Sequence, residues 1–313
     1  MEHGWWRAWG RWWPGGCVSE RRPLETIVMP LASAQGGLPV EFWPLHGRPL
    51  LWHALREAGE AGGRRVILVA DESVLRWRAL LRELTTQAGP ELQVRIVRAA
   101  RPGWLGALVA ARPHLRRQPF AVLVPSLAAP QPQAPLVRLA EQFRRLRSSI
   151  LCVPAHDRGG VCVELASPDA PLCRVRAAYP DPPHGLGHGP RVRAERAIFT
   201  PAIWDALDRA SLPHRTLHET GEADLVSALL QQELVFAFRL TQPLYDVRDA
   251  AQWVELQSLG LAIERRAASH FLPQTAPRLC GEAPPERQAV GGAPIVPAGT
   301  RGRARLILVH SRR

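Results

Sequence analysis

The sequence predicts an α/β protein: a mixed, mainly parallel sheet with helices on both faces, occupying about residues 25–262. Three observations lead there. Short apolar, β-rich runs alternate with helical stretches of about ten to twelve residues between Thr26 and Pro154. The runs are apolar at successive positions rather than alternate ones, as strands covered on both sides must be. No apolar run approaches the ~20 residues that a membrane span requires.

The elements follow in order. TIVMPL (Thr26–Leu31) reads as a buried strand, and Pro49–Gly59 as a helix with Leu50, Leu51, Ala54, Leu55 and Ala58 on its apolar side. RRVILVA (Arg64–Ala70) is the next strand, Ser73–Leu84 a helix, Val94–Val97 a strand and Leu105–Leu115 a helix. FAVLVP (Phe120–Pro125) and SILCVP (Ser149–Pro154) are strands flanking the helix Pro135–Arg147. Ligands of such sheets bind beyond the carboxyl ends of the strands, which directs attention to the loops after Leu31, Ala70, Val97 and Pro125. After residue 155 the alternation changes. Val161–Leu165, Val192–Phe199 and Leu234–Leu240 are strand-like, and Ala202–Ala210, Glu222–Gln232 and Asp249–Leu259 helical.

Composition limits the function classes. The net charge is +12, but residues 1–24 carry +2 of it and residues 264–313 carry +6, leaving about +4 spread over the middle. That distribution lacks the basic face of a nucleic-acid domain, and the Arg-rich tail lacks interleaved aromatics. All 40 basic residues are arginine. Residues 1–24, rich in Trp and Arg, and residues 263–313, rich in Pro, Gly and Arg, are expected to be disordered apart from a short strand at Leu306–Val309. The start is not expected to act as a signal peptide, because Arg and Gly interrupt its tryptophans. Five cysteines, Cys17, Cys152, Cys162, Cys173 and Cys280, form no close pair and no zinc spacing. Buried or incidental thiols in a reducing, cytoplasmic compartment are therefore expected.

Four segments carry a resemblance. PVEFWPLHGRPLLWHAL (Pro39–Leu55) matches Pro-Lys-Glu-Met-Leu-Pro-Leu-Val-Asp-Lys-Pro-Leu-Ile at Pro39, Glu41, Pro44, Leu45, Pro49 and Leu50. FAVLVPS (Phe120–Ser126) stands where a strand ends Leu-Pro-Asp, and GEADLVSAL (Gly221–Leu229) resembles Gly-Glu-Ile-Gln-Leu-Thr-Asp-Ala. YDVRDAAQWVELQSLGL (Tyr245–Leu261) resembles Tyr-Asp-x-Gly-x-x-x-Gly-Tyr and the helix after it. In this order, from Thr26 to Leu261, they resemble the bacterial UTP–glucose-1-phosphate uridylyltransferases, a family of sugar-1-phosphate nucleotidyltransferases. The resemblance implies their Rossmann-like nucleotidyltransferase fold. It also implies their reaction, UTP and glucose-1-phosphate to UDP-glucose and diphosphate.

That chemistry is in-line attack on the α-phosphorus, so positioning and charge neutralisation dominate. The resemblance implies a Gly-rich loop with Arg for the triphosphate, a catalytic Lys, and Mg²⁺ held by two Asp. The chain departs at most of these. Its loop ASAQGG (Ala32–Gly37) is short and has no Arg, the Lys position is Val40, and the first metal Asp is Ser126. Arg98 stands for the Gln that reads uracil, Leu105 for a glycine before Gly106, and Ala178-Tyr179-Pro180 for Glu-Lys-Pro. Tyr245-Asp246-Val247-Arg248 has Arg248 where glycine is expected.

No catalytic residue is therefore assigned. The resemblance leaves Gly36, Gly37, Glu41 and Gly106 as nucleotide-binding candidates, Glu222 as a sugar-binding candidate and Asp246 as a metal ligand. Each has a structural alternative. Asp246 can cap the following helix, and Glu222 can stabilise a helix N-terminus as a first-turn acid. Gly36 and Gly37 also suit a tight turn, and Arg48 a solvated charge. His184 and His188, in PHGLGH, read as loop residues rather than a metal pair. Mg²⁺ is expected only if activity is retained, and otherwise no cofactor. A nucleotide or nucleotide sugar is the expected partner, with a homo-oligomer left open, and neither a membrane nor nucleic acid is expected. Two functions remain: a divergent, catalytically weak uridylyltransferase, or a non-catalytic paralogue that binds a nucleotide sugar or a regulatory protein partner.

Overall fold

The computed structural model describes residues 24–31, 37–87, 91–100, 103–115, 117–129, 134–155, 160–179, 190–210, 221–241 and 243–259. The two expected extensions lie outside these residues except for Leu24, which is buried. Leu306–Val309, Gly36, Pro180, His184 and His188 lie outside them as well.

Thirteen strands are described: β1 (Thr26–Pro30), β2 (Pro44–Leu45), β3 (Arg48–Pro49), β4 (Arg65–Ala70), β5 (Gln93–Arg98), β6 (Phe120–Leu123), β7 (Leu127–Ala128), β8 (Ile150–Val153), β9 (Val161–Leu165), β10 (Leu172–Tyr179), β11 (Arg191–Phe199), β12 (Phe236–Arg239) and β13 (Tyr245–Asp246). The helices are α1 (Leu50–Glu60), α2 (Glu72–Leu75), α3 (Arg78–Gln87), α4 (Gly103–Ala111), α5 (Pro135–Leu146), α6 (Ala202–Ala210), α7 (Glu222–Leu230) and α8, over residues 250–259.

β1 is buried at every position, as its continuous apolar run requires. It lies between β4, in register Thr26 to Arg65, and β6, in register Thr26 to Phe120, and both pairings are parallel. β5 extends this half in parallel beside β4. Alternate residues of the strands then enter two different cores. Val28, Ile67, Val69 and Val122 pack under α4, α6 and α7, where Phe120 stacks on Trp204 at 5.3 Å. Ile27, Met29, Val66 and Leu68 face α1, α3 and α5. Helices therefore cover both faces.

The sheet continues as β5-β4-β1-β6-β11-β8-β12-β10-β9. The sheet is mixed, as expected, but the expectation that it is mainly parallel needs correction here. β11 is antiparallel to β6 and to β8, and β10 is antiparallel to β12 and β9. Arg191 and Val192 of β11 also pair with β9, so β11, β8, β12, β10 and β9 form a closed ring. The register shift between Arg193 and Ala197 bends β11 so that its two ends serve different neighbours. The result is mixed: an open parallel half and a closed half.

Two local features set the site segment. β2 and β3 form a hairpin whose turn residues His46 and Gly47 both have positive φ, 47° and 75°. Glycine meets that demand freely, and such turns match the strand twist. A third cluster, with Val40, Leu45, Leu50, Tyr245, Val247 and Leu256, packs this hairpin against β13 and α8. The helix expected over Ser73–Leu84 is two helices, α2 and α3, separated at Arg76 and Trp77.

Candidate functional site

The motif residues converge at the carboxyl end of β6 because two backbone contacts draw them together. The Val247 N–H donates to the Ser126 carbonyl at 3.0 Å, beside the short pairing of β13 with β7. The Val124 N–H donates to the Glu195 carbonyl, also at 3.0 Å, and brings β11 to the same loop. This is the carboxyl-end position at which parallel sheets bind ligands. A cavity of about 410 Å³, lined by Thr26, Arg65, Gln93, Arg95 and His114, lies instead at the amino ends of β1, β4 and β5.

Asp246 is held by its own turn. Its carboxylate accepts from Arg248 Nε at 2.8 Å, Arg248 Nη2 at 2.6 Å and the Arg248 backbone N–H at 3.1 Å. Burial pushes the Asp246 carboxyl up, but these bonds outweigh it and hold the group below the usual carboxylate range. Asp246 does not cap α8; Asp249 does, accepting from Ala251 N at 2.9 Å and Gln252 N at 3.3 Å. Ser126, whose carbonyl meets Val247 of the same turn, is fully buried, and its hydroxyl has no hydrogen-bond partner among the described residues.

Glu222 opens α7 after Gly221, whose N–H is met by Asp224 Oδ2 at 3.0 Å. Its own carboxylate accepts the indole N–H of Trp104 on α4. Burial and the neighbouring Glu195 push Glu222 up to about 7, and the Trp104 bond and Arg193 offset only part of that. Arg193 and Glu195, alternate residues of β11, are joined at 2.9 Å with both side chains largely buried. They act electrostatically on both carboxyls: Arg193 on Asp246 and Glu222, and Glu195 on Glu222 and on Arg248.

The other candidates are placed as follows. Glu41 is fully buried in the turn Val40–Phe42 and adds to the negative field at Arg248. Val40 is buried in the apolar cluster with Leu45, Leu50 and Tyr245. Gly37 is exposed, and a Cβ there would meet nothing within 4 Å among the described residues. Gly106 sits half-buried within α4. Arg98 pairs with Glu72 at 3.2 Å, and exposed Arg48 lies 5.5 Å from the Trp52 ring centroid. Trp104, Arg193 and Glu195 were not evident from sequence as site residues. The signal for the last two was available, since Arg191, Arg193 and Glu195 put charge on alternate positions of an otherwise buried strand.

The donor set does not fit a divalent metal. Both oxygens of Asp246 accept from Arg248, Ser126 carries no charge, and no group of three His, Cys, Asp or Glu side chains suited to a metal occurs among the described residues. Cys152, Cys162 and Cys173 are free thiols and buried, as expected. No helix among the described residues is long and apolar enough to cross a membrane.

No family model matches the chain. Over 248 residues it is 25% identical to UTP–glucose-1-phosphate uridylyltransferase of Bacillus subtilis (strain 168), covering 72% of this chain and 83% of that protein. The UTP-bound UGPase from Acinetobacter baumannii superposes with a TM-score of 0.63 at 20% identity, over 78% of this chain and 99% of its own. UDP-glucose pyrophosphorylase complexed with UDP-glucose gives 0.64 at 16% identity, with the same coverages. In sequence the chain is thus similar to a UTP–glucose-1-phosphate uridylyltransferase and in fold to solved UDP-glucose pyrophosphorylases, with Val40 and Ser126 at two positions where the resembling motifs carry charge.

Proposed function

We propose that the chain is a nucleotide-sugar-binding protein on the uridylyltransferase frame, with little or no nucleotidyl transfer of its own. One observation carries this reading. Val40 and Ser126, where the resemblance calls for a cation and a metal carboxylate, are both buried and neutral. Removing one preorganised charge-stabilising group typically costs about 10²–10³ in rate. Several such losses leave little, even though they do not add simply. Binding asks for less, because holding a nucleotide sugar needs shape and hydrogen bonds but no stabilisation of a transition-state charge. The UTP-bound and UDP-glucose-complexed neighbours support that ligand class.

The test pairs binding with turnover. Thermal shift against UTP, UDP-glucose and glucose-1-phosphate should show stabilisation by UDP-glucose. Diphosphate release from UTP, glucose-1-phosphate and Mg²⁺ should stay at background. Turnover abolished by Asp246→Ala would return the chain to the active family, and stabilisation by none of the three ligands would remove the binding reading.

A further inference from the structure

The Asp246–Arg248 pair sits where the resemblance has an aspartate and a glycine around a metal. Nε and Nη2 of Arg248 face the two carboxylate oxygens at 2.8 and 2.6 Å, the forked geometry that makes Arg–carboxylate pairs strong. The Asp246 N–H donates to Gln252 Oε1 at 2.9 Å, so α8 braces the turn. Position 126, joined to this turn through Val247, is neutral.

The charges balance. Two carboxylates around a divalent cation sum to zero, and so do one carboxylate and one guanidinium. The chain lacks the carboxylate at 126 and has a cation at 248. Either change alone would leave an unpaired charge at this half-buried turn, which is costly, whereas together Asp246 and Arg248 compensate each other. A metal at Asp246 would have to take an oxygen from Arg248 and stand next to a guanidinium. Mg²⁺ dehydrates reluctantly and demands near-octahedral oxygen ligands, so a single occupied carboxylate cannot recruit it.

We infer that Arg248 is a built-in cation in place of a divalent metal, and that the protein takes the diphosphate of a nucleotide sugar directly, without metal. This rests on the nucleotide-sugar reading above. A guanidinium has five N–H donors in a rigid fork. The Nη1 edge makes no hydrogen bond to the described residues, and the side chain is 51% exposed, so one edge can hold Asp246 while the other meets phosphate. Asp246 first, then Glu195 and Glu41, add negative potential at the guanidinium and so limit how strongly an anion is drawn in. The expected affinity is therefore modest.

The experiment is calorimetric titration of UDP-glucose into the full chain, once in excess EDTA and once in Mg²⁺. The expected result is equal affinity in both, with Arg248→Met weakening it about 10–100-fold, the worth of a hydrogen-bonded charge contact. Mn²⁺ alone, followed by electron paramagnetic resonance, should not bind the unaltered chain but should bind Ser126→Asp/Arg248→Gly, which tests the replacement of the metal, while the loss of affinity in Arg248→Met tests the phosphate contact. Binding that needs Mg²⁺ and disappears in Asp246→Asn overturns the inference while leaving the nucleotide-sugar reading intact. No binding in either buffer overturns both. If Arg248→Met does not fold, the comparison of EDTA with Mg²⁺ on the unaltered chain decides alone.

Discussion

Trp104 and Glu222, 118 residues apart, meet at the edge of the candidate site, where the indole N–H is donated to the carboxylate. The contact joins α4 to the first residue of α7, and Trp104 stacks on Phe199 beneath it, with ring centroids 6.4 Å apart. Glu222 is thus half-buried and already engaged by the indole N–H.

This partial burial has a consequence for pH. Burial first, then Glu195, raises Glu222 to about 7 from 4.5, so the folded chain holds a proton there that the unfolded chain releases. Its contribution is fully present below about pH 4.5 and is lost as pH rises through about 7. Glu233 is also raised, by burial, and acts in the same direction; Asp246 is lowered and acts in the opposite direction, at more acidic pH. Glu222→Gln keeps an acceptor for Trp104 and should remove part of the slope. Urea midpoints across this range should show a difference between the two chains that changes by on the order of 3 kcal/mol. Parallel curves would mean that Glu222 titrates normally.

Arg196 and Glu57 make the second testable pair. Arg196 Nη1 lies 2.5 Å from Glu57 Oε1, and the Arg196 side chain is 2% exposed. Glu57 also accepts from the Leu136 N–H at 2.8 Å, at the start of α5, while Arg196 Nη2 donates to the Leu127 carbonyl. The pair therefore ties β11 to α1, to α5 and to the loop that carries Ser126. Arg196→Met leaves a buried carboxylate alone and should cost about 3–5 kcal/mol. Arg196→Met/Glu57→Leu should recover much of that, apart from about 1 kcal/mol for each backbone group left unmet. A single-variant cost no larger than that of a surface pair would show that water reaches the site.

The parallel half of the sheet was legible because burial on both faces writes itself as a continuous apolar run, as in TIVMP, RVILVA and FAVL. β10 was not, because exposed Arg174 and Arg176 alternate with Cys173 and Val175 on a strand with one face in water. The ring closure lies in the irregularity of β11, which no residue pattern announces. Motif positions such as Val40, Ser126 and Asp246 were local and readable. Their partners were not, since Trp104 reaches Glu222, and Glu195 reaches Arg248, only across the folded sheet. Arg248 could be read as a departure from glycine, but its pairing with Asp246 follows from the turn geometry.

The thiols give a simple check on the core. Cys152, on β8, is fully buried, and burial pushes its thiol up to about 12, far from the reactive thiolate. Alkylation of the native chain followed by peptide mapping should spare Cys152, Cys162 and Cys173, and unfolding should expose all three to labelling. Rapid native labelling of Cys152 would contradict the placement of β8 inside the sheet.

Reinstating charge at Val40 is the most direct challenge to the proposed function. Val40 begins a tight turn and packs on Leu45, Leu50 and Tyr245 with 7% of its surface exposed. A lysine there must either bury its ammonium or push the turn away from β13. Val40→Lys should therefore cost about 2–4 kcal/mol, whereas the apolar control Val40→Leu should cost less than about 1.5 kcal/mol. Ser126→Asp would add a second carboxylate at the residue whose carbonyl meets the Asp246 turn, and Arg248 would still hold both oxygens of Asp246. Val40→Lys/Ser126→Asp should thus lose stability and release no diphosphate from UTP and glucose-1-phosphate, as read by melting temperature and a coupled diphosphate assay. A double variant that keeps its melting temperature and turns over would show that the site needed only its two missing charges, and that Arg248 never stood in the way.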